Sequence, residues 1–438
     1  MESPQWECLL QGSLRDRALE AAGSIAVDLA QFAPPQLDLE RTFSHSLAYG
    51  GAGIALFLHY WDSALPDRCI RHSAEQYLDQ VIAGMEERRM SCALFRGFTG
   101  IAWAALHVYR RWGEVLAAPV WAHLDQAVDA WTHRHATPTE LLEGLGGILL
   151  YLAERDVEPV TQALFERVVA RLHQVALERG AGRAWPVADW LQKDYEWHLT
   201  LSSRERFQLS DHWLQQGMRG YYKLGVAHGC TGTAAALAAA IVAGYEAPGA
   251  ADMAASAAQF VLSQRLPAGS QSIFPNVAGT ILPKLTGGWC DGDIGIAATL
   301  VQIAQSLERD DLRAQALEIA RLEAVRRVDE VEAPNRNNYM LCHGACGRGH
   351  VFNRLYHTTG EALFAEAAIY WFERALAVRT AGRGTGGFLV DEQRRDGALL
   401  NVRGFLMGAA GLGLALTAAC CDDEPQWDRL LLLSGRRN

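Results

Sequence analysis

Two cysteines and one histidine in this 438-residue chain have the side chains of a zinc site. Cys290 lies in GGWCDGDIGIA, and the adjacent Cys342 and His343 lie in NYMLCHGACG. Two thiolates and one imidazole can bind Zn²⁺ and leave its fourth coordination position open, as in catalytic sites. The two segments are about fifty residues apart, whereas a zinc finger collects its ligands locally. The sequence therefore predicts one catalytic zinc ion per chain.

A further histidine, His228, lies in AHGCTG. Its imidazole titrates near neutral pH, so it could transfer a proton in the reaction. The alternative is a core histidine that bonds a backbone carbonyl group. We favour the functional role, because His228 precedes a glycine motif of the same kind as the predicted ligands.

These residues belong to a repeat, in which GxxG is followed by an apolar run. The motif begins at Gly50, Gly97, Gly144, Gly229, Gly292, Gly344 and Gly408. The apolar runs predict helices that are buried on most sides, and amphipathic stretches such as 311–328 predict outer helices between them. Glycine at the entry to each inner helix permits positive φ or close approach of the chain. Seven such hairpins closed into a ring predict an all-α fold, an α/α toroid (double α-barrel) of seven inner and seven outer helices.

Composition supports one large folded unit. Half of the residues are hydrophobic, and no Pro-, Ser- or charge-rich linker divides the chain, so residues 1–438 are predicted to form a single toroid domain. The net charge of −10, without a basic block, argues against a nucleic-acid partner. The nine cysteines and the absence of a signal peptide at the start predict reduced thiols and a cytoplasmic protein.

The motifs WCDGDIGIA, CHGACG, AHGCTG and MGAAGLGLAL resemble those of the lanthionine synthetase C-like (LanC) proteins. The resemblance covers essentially the whole chain. Known members fold as α/α toroids around a zinc ion, and bacterial members close thioether rings in ribosomally made peptides. The resemblance therefore implies that Cys290, Cys342 and His343 bind Zn²⁺ and that His228 transfers a proton.

The implied reaction adds a peptide Cys thiol to dehydroalanine or dehydrobutyrine and forms (methyl)lanthionine. Only the thiolate attacks well, and zinc would promote its formation. The resulting enolate needs a proton at its α-carbon, for which His228 is the candidate acid. The expected partners are a lanthipeptide precursor peptide, a separate dehydratase and a membrane transporter complex.

The chain departs from the usual bacterial cyclases near the site. Asp291 follows Cys290 where the family often has Tyr, and LPKLTGGWC lacks an Arg that active cyclases often carry. Glu140 stands in place of a family acidic residue. We expect Glu140 to orient His228 or relay protons, or else to act as a first-turn helix acid. We expect Asp291 to act with the zinc ligands or to cap the inner helix.

Some alternatives stay open. The missing Tyr and Arg favour a zinc-bearing scaffold or sensor that binds a peptide or small thiol without cyclase activity. A zinc prenyltransferase would use Asp, Cys and His from different motifs, and a glycosidase would leave the cysteines unexplained. Cys346 is either a spare thiol at the rim or a small buried residue.

An aromatic-rich insertion at about 184–222 fills the longest interval between motifs and contains four tryptophans and three tyrosines. Aromatic side chains with polar tips are common in binding surfaces. This segment either holds the leader or substrate peptide or packs on the barrel as an elaborated loop.

Overall fold

The computed structural model describes residues 6–31, 44–87, 89–114, 118–133, 137–179, 182–186, 222–279, 287–326, 338–390 and 399–435. Fourteen α-helices lie within these ranges. Their bounds are α1 Gly12–Gln31, α2 Gly51–Ala64, α3 Arg68–Glu87, α4 Phe98–Trp112, α5 Ala118–Thr132, α6 Leu145–Glu154, α7 Pro159–Val175, α8 Cys230–Val242, α9 Ala250–Leu262, α10 Asp293–Ser306, α11 Asp310–Val325, α12 Ala345–Thr359, α13 Ala362–Ala377 and α14 Ala409–Cys420. A 3₁₀ helix, Gln426–Leu431, follows, and strands β1 Leu177–Arg179 and β2 Gly182–Ala184 pair antiparallel.

The chain divides into two compact units, which we describe separately. Unit 1 comprises Met1–Leu116, Gly287–Trp289 and Arg321–Arg429. Unit 2 comprises Ala117–Thr286, Cys290–Ala320 and Leu430–Asn438. The single domain over residues 1–438 stays a prediction. Most of the insertion predicted at 184–222 lies outside the described residues.

In unit 1, helices buried on most sides alternate along the chain with amphipathic ones. Helix α14 is buried at every position, whereas α3 buries one face at three- and four-residue spacing, for example at Ile70, Ala74, Tyr77 and Val81. Helix α2 packs against α3, α12 against α13, and α14 against α1. The predicted pairing of an inner with an outer helix is therefore confirmed in this unit.

Unit 2 repeats the same pairing. The inner helices α6 and α8 pack against each other and against the outer helices α7 and α9, respectively, and α8 also contacts α10. Of the amphipathic stretch predicted at 311–328, residues 311–325 lie in α11, which begins in this unit, and residues 327 and 328 lie outside the described residues. None of the described helices combines the length and hydropathy needed to span a lipid bilayer.

Each of the seven motifs places its first glycine directly before an inner helix, as predicted. These N-cap glycines have negative φ, between −126° and −72°, so positive φ does not explain them. Close approach explains them, because in five repeats a Cβ on this first glycine would collide with a backbone atom of the same loop. A Cβ on the last glycine of the motif would also collide with the carbonyl oxygen six residues earlier in five repeats, at Gly53, Gly100, Gly232, Gly347 and Gly411. The loop therefore folds back tightly over the first turn of the helix, and the same turn recurs around the repeats.

Candidate metal centre

The three predicted metal ligands lie together. The side-chain ligand atoms of Cys290, Cys342 and His343 are all within 4.8 Å of one another. Around one tetrahedral zinc ion, with bonds of about 2.0–2.3 Å, sulfur and nitrogen ligands lie roughly 3.5–4 Å apart. Both cysteines are buried and His343 is half-buried. The donor atoms thus fit a metal ion in type and spacing, and no other cluster of this kind occurs among the described residues.

Close packing at Gly288 holds this arrangement. A Cβ on Gly288 would collide with the Cα of His343 and would lie 2.7 Å from the carbonyl oxygen of Cys342. Gly288 precedes Cys290 by two residues, so its contact with His343 fixes where the chain enters the Cys290 loop. Trp289, between Gly288 and Cys290 in the sequence, is fully buried and packs on Phe95 with 6.2 Å between ring centroids. The absence of a side chain at position 288 is therefore necessary for this geometry.

Backbone hydrogen bonds join neighbouring motif loops in unit 1. The N–H of Ala48 donates to the carbonyl of Phe95 over 2.8 Å, and the N–H of Leu406 donates to the carbonyl of Ala48 over 3.0 Å. The N–H of Cys342 donates to the carbonyl of Leu406 over 2.9 Å. Main-chain bonds thus fix the position of Cys342, independently of any metal ion.

The Cys290 loop is held in the same way within unit 2. The N–H groups of Val226 and Ala227 donate to the carbonyl of Cys290 over 2.7 and 2.9 Å. His228 is the next residue after Ala227. These two hydrogen bonds therefore keep the loop of the candidate acid next to the loop of a candidate ligand.

In unit 2, the half-buried His228 pairs with the buried Glu140. The Nδ1 of His228 lies 2.9 Å from Oε2 of Glu140, whose side chain is 3 % exposed. The carboxylate also accepts the N–H of Leu142 over 2.9 Å and that of Glu143 over 2.6 Å. An ionised carboxylate only accepts hydrogen bonds, so Nδ1 of His228 carries the proton and Nε2 remains for other chemistry. Helix α6 begins five residues after Glu140, so the expectation of a first-turn helix acid is wrong.

The charges around His228 favour its protonated form. Burial by itself would lower the pKa of His228, but the hydrogen bond and negative charge of Glu140 outweigh it. Asp291 adds to the rise and the cation Lys223 opposes it. The net result is a pKa above the ordinary value. The sequence analysis did not single out Lys223, which lies outside the GxxG motifs.

Asp291 does not cap the inner helix, because Gly292 is the N-cap of α10. Glycine holds that position in all seven repeats, a regularity already present in the sequence. The half-buried Asp291 lies against Gly225, where a Cβ would collide with its Oδ1. Its remaining predicted role, action with the metal ligands, stays a prediction.

Two further cysteines in glycine motifs are core residues. Cys346 is fully buried, with its Sγ 3.9 Å from the carbonyl oxygen of Gly411, and burial raises its pKa. Cys230 lies with its Sγ 3.7 Å from the carbonyl of Trp185, and burial raises its pKa to about 12. The interpretation of Cys346 as a small buried residue agrees with the structure.

Comparison with known proteins relates most of the chain to one family. Residues 42–432 match the family described as "Lanthionine synthetase C-like protein". The fold is similar to that of "Nisin cyclase", with a TM-score of 0.68 and 18% identity over 93% of this chain and 96% of that one. A sugar epimerase from a ruminal bacterium matches at 13% identity and TM-score 0.42, over 91% of this chain and 98% of its own. Comparison with curated proteins gives no significant match.

The similarity to nisin cyclase shows the fold, and it confirms the prediction of an all-α protein of the α/α toroid class. The family match extends over both units and includes every predicted site residue. It rests on the sequence, whereas the structural similarity rests on the backbone, so the two comparisons support each other. The chain belongs to the lanthionine synthetase C-like family.

Proposed function

We propose that this protein is a zinc-dependent cyclase that forms (methyl)lanthionine thioether rings. It would add Cys thiols of a ribosomally made precursor peptide to dehydroalanine or dehydrobutyrine in the same peptide. The observation that carries the proposal is the cluster of Cys290, Cys342 and His343 in a chain of this family and fold.

The donor set supports zinc as the metal ion. Thiolate and imidazole ligands suit Zn²⁺, whereas Mg²⁺ and Ca²⁺ prefer oxygen ligands. Zinc held by these three residues would lower the pKa of a substrate thiol and so generate the nucleophilic thiolate. The two protein thiolates offset the charge of the ion, which leaves a substrate sulfur reactive.

We assign the proton transfer to His228. In the reaction, the substrate sulfur forms a bond to the β-carbon, and the C=C electron pair moves to the α-carbon, where an enolate forms. The Nε2 of His228 donates a proton to that α-carbon, and the proton of the substrate thiol is lost to solvent. The hydrogen bond from Nδ1 to Glu140 orients the ring, and the raised pKa of His228 increases the protonated fraction. Glu140 acts through His228, as a positioning residue, and Asp291 acts with the metal ligands.

The proposed reaction also implies partner proteins and a cellular location. A cyclase needs dehydrated substrate, so a separate dehydratase would act before it, and a membrane transporter complex would export the product. An enzyme that works on thiols fits a reducing compartment, which supports a cytoplasmic location.

A second candidate is a zinc-bearing scaffold or sensor that binds a peptide or small thiol without cyclase activity. Asp291, in place of the Tyr expected after Cys290, is the observation that favours it. A thiolate bound near this carboxylate would have a different electrostatic environment from that in the usual cyclases.

Metal analysis combined with a cyclisation assay tests the proposal. Wild type, Cys290→Ala and the exposed-site control Cys69→Ala would be purified and their zinc content measured. Each would then be incubated with a dehydroalanine-containing Cys peptide, and the loss of free thiol would be followed. We expect one zinc ion and thiol consumption in wild type and Cys69→Ala, and neither in Cys290→Ala. Zinc without thiol consumption would favour the scaffold, and wild type without zinc would overturn the proposal.

A further inference from the structure

The residue before the first motif glycine occupies the same structural position in all seven repeats. In each case it is half-buried, while the residues on both sides of it are buried. These residues are Tyr49, Arg96, Glu143, His228, Asp291, His343 and Met407. Three of them, His228, Asp291 and His343, already belong to the proposed site. The other four side chains occupy the equivalent position of their loops and are likewise partly exposed.

Within unit 1, the backbone bonds between loops give these positions an order. The loops of Phe95, Ala48, Leu406 and Cys342 are linked one to the next. The half-buried residues that directly follow these four therefore form a row. We call this set the rim row: Arg96, Tyr49, Met407 and His343. It begins at a cation and ends at a predicted metal ligand.

Arg96 is held in place by its neighbour in the rim row. Its guanidinium donates to the hydroxyl of Tyr49 over 3.4 Å and lies 5.6 Å from the centre of that ring. Gly404 packs closely against the Cα of Tyr49 on another side. The half-buried Arg403 directly precedes Gly404. Tyr49 therefore lies between two arginine-bearing loops, and its ring limits the orientations of Arg96.

We propose that Arg96 is a specificity-determining residue that binds a carboxylate of the peptide substrate, while Tyr49 and Met407 line the path from it to His343. This inference rests on the proposed cyclase function and names the class of peptide the site would take. A guanidinium binds a carboxylate through paired, charge-assisted hydrogen bonds. In a peptide of ordinary residues, the available carboxylates are Asp, Glu and the C-terminus.

The length of the rim row limits where that carboxylate can lie. Packed neighbouring helices are about 8–10 Å apart, and three loop-to-loop steps separate Arg96 from His343. The path is therefore at most about 30 Å, which an extended peptide covers in about eight or nine residues. The expected substrate carries an acidic side chain or its C-terminus within about eight residues of the reacting cysteine.

The test pairs one protein residue with one peptide residue. Fluorescein-labelled peptides would contain one Cys, one dehydroalanine and a single Glu placed two to eight residues from the Cys on either side. Each would be matched by a peptide with Gln instead of Glu. Kd would be measured by anisotropy for wild-type holoprotein, Arg96→Gln, Arg96→Lys and the control Arg17→Gln on the exposed face of α1. Zinc content would be confirmed for each variant.

At the best Glu position, we expect wild type and Arg17→Gln to bind the Glu peptide at least about tenfold more tightly than the Gln peptide. Arg96→Gln should bind both alike, and Arg96→Lys should keep part of the preference. An equal loss for both peptides in Arg96→Gln would show a structural role and overturn the inference, as would an unchanged preference. Because binding is measured without turnover, failure of cyclisation in wild type would contradict the proposed function separately.

Discussion

The Nδ1 of His228 lies 2.9 Å from the Oε2 of Glu140, although 88 residues separate them in the chain. The Glu140 carboxylate also accepts hydrogen bonds from two backbone N–H groups of its own turn. These bonds hold the carboxylate in position independently of His228. The pair lies beside the loop of Cys290, because the N–H of Ala227 bonds the carbonyl of Cys290. An acid whose orientation is fixed in this way can deliver a proton to one face of a bound substrate.

Glu140→Gln is expected to reduce cyclisation and to shift its pH profile. The negative charges of Glu140 and Asp291 raise the pKa of His228, and the positive charge of Lys223 lowers it. The substitution removes the charge of Glu140, so the pKa of His228 falls. With a lower pKa, His228 loses its proton at lower pH, so the basic limb of the kcat profile moves toward acid. At pH 8 we expect at least a ~10-fold fall in kcat, since general acids contribute about 10²–10⁴-fold.

The matched control is Glu166→Gln on the exposed face of α7, which should leave the profile unchanged. NMR titration of the His228 ring would report the pKa directly. A profile in Glu140→Gln that keeps its basic limb at the wild-type pH would contradict the role given to the pair.

Gly288→Ala is expected to abolish metal binding. The added Cβ would collide with the Cα of His343, and relief of the collision must separate Cys290 from Cys342 and His343. Overpacking of this kind costs about 1–3 kcal/mol of stability. Gly113→Ala serves as a control, because open space surrounds its Cβ position while φ is +75°. It should lower Tm through backbone strain but keep its zinc, whereas Gly288→Ala with a full complement of zinc would refute the packing argument.

Asp428→Asn is expected to destabilise the fold without direct effect on the metal site. The buried carboxylate of Asp428 lies 2.8 Å from Nε of Arg354 and 3.1 Å from Nε2 of His350. Loss of its charge removes the buried one of two carboxylates paired with Arg354, the other being the 38% exposed Glu424, so we expect a cost of at most about 3–5 kcal/mol. Asp423→Asn, at an ion pair whose carboxylate is 51% exposed, should change Tm little. Equal Tm values for the two variants would show that the buried network does not stabilise the protein.

Removal of zinc is expected to lower Tm and to stop thiol consumption, and added Zn²⁺ should restore both. A ligand that binds only the folded state at 100 times its Kd contributes about 2.7 kcal/mol. Differential scanning fluorimetry with increasing Zn²⁺ would follow the effect. Cys69→Ala should respond as wild type does, and Cys342→Ala should not respond. A wild-type Tm that is insensitive to both chelator and zinc would argue against a metal site.

The metal cluster could be predicted from sequence because it depends on residue type and on a repeat. Cys290, Cys342 and His343 sit at motif positions whose helices follow an apolar periodicity, and the structure brings their ligand atoms together. The buried state of Cys346 followed from its place inside the motif, where the inner helix has already begun.

Other features depended on exact element boundaries, which periodicity does not define. The sequence leaves open whether Glu140 acts on His228 or belongs to the first helical turn, because it does not define where α6 begins. The capping role of Asp291 was wrong because Gly292 takes the N-cap position. Position 288 requires glycine because it packs against His343, 55 positions along the chain. A local sequence pattern cannot predict a contact between residues so far apart.

The turn that precedes each inner helix has a consequence for how this protein can change over evolution. Its shape is set by glycines and main-chain bonds, whereas the half-buried residue before the first glycine differs in chemical type among the repeats, from Met to Arg, Glu and His. A mutation at that residue would therefore alter the chemistry presented at the rim at small cost to folding. Apart from the metal ligand His343 and the paired Arg96 and Tyr49, such positions can change one at a time, so the barrel could acquire new peptide substrates by single substitutions while its helices stay unchanged.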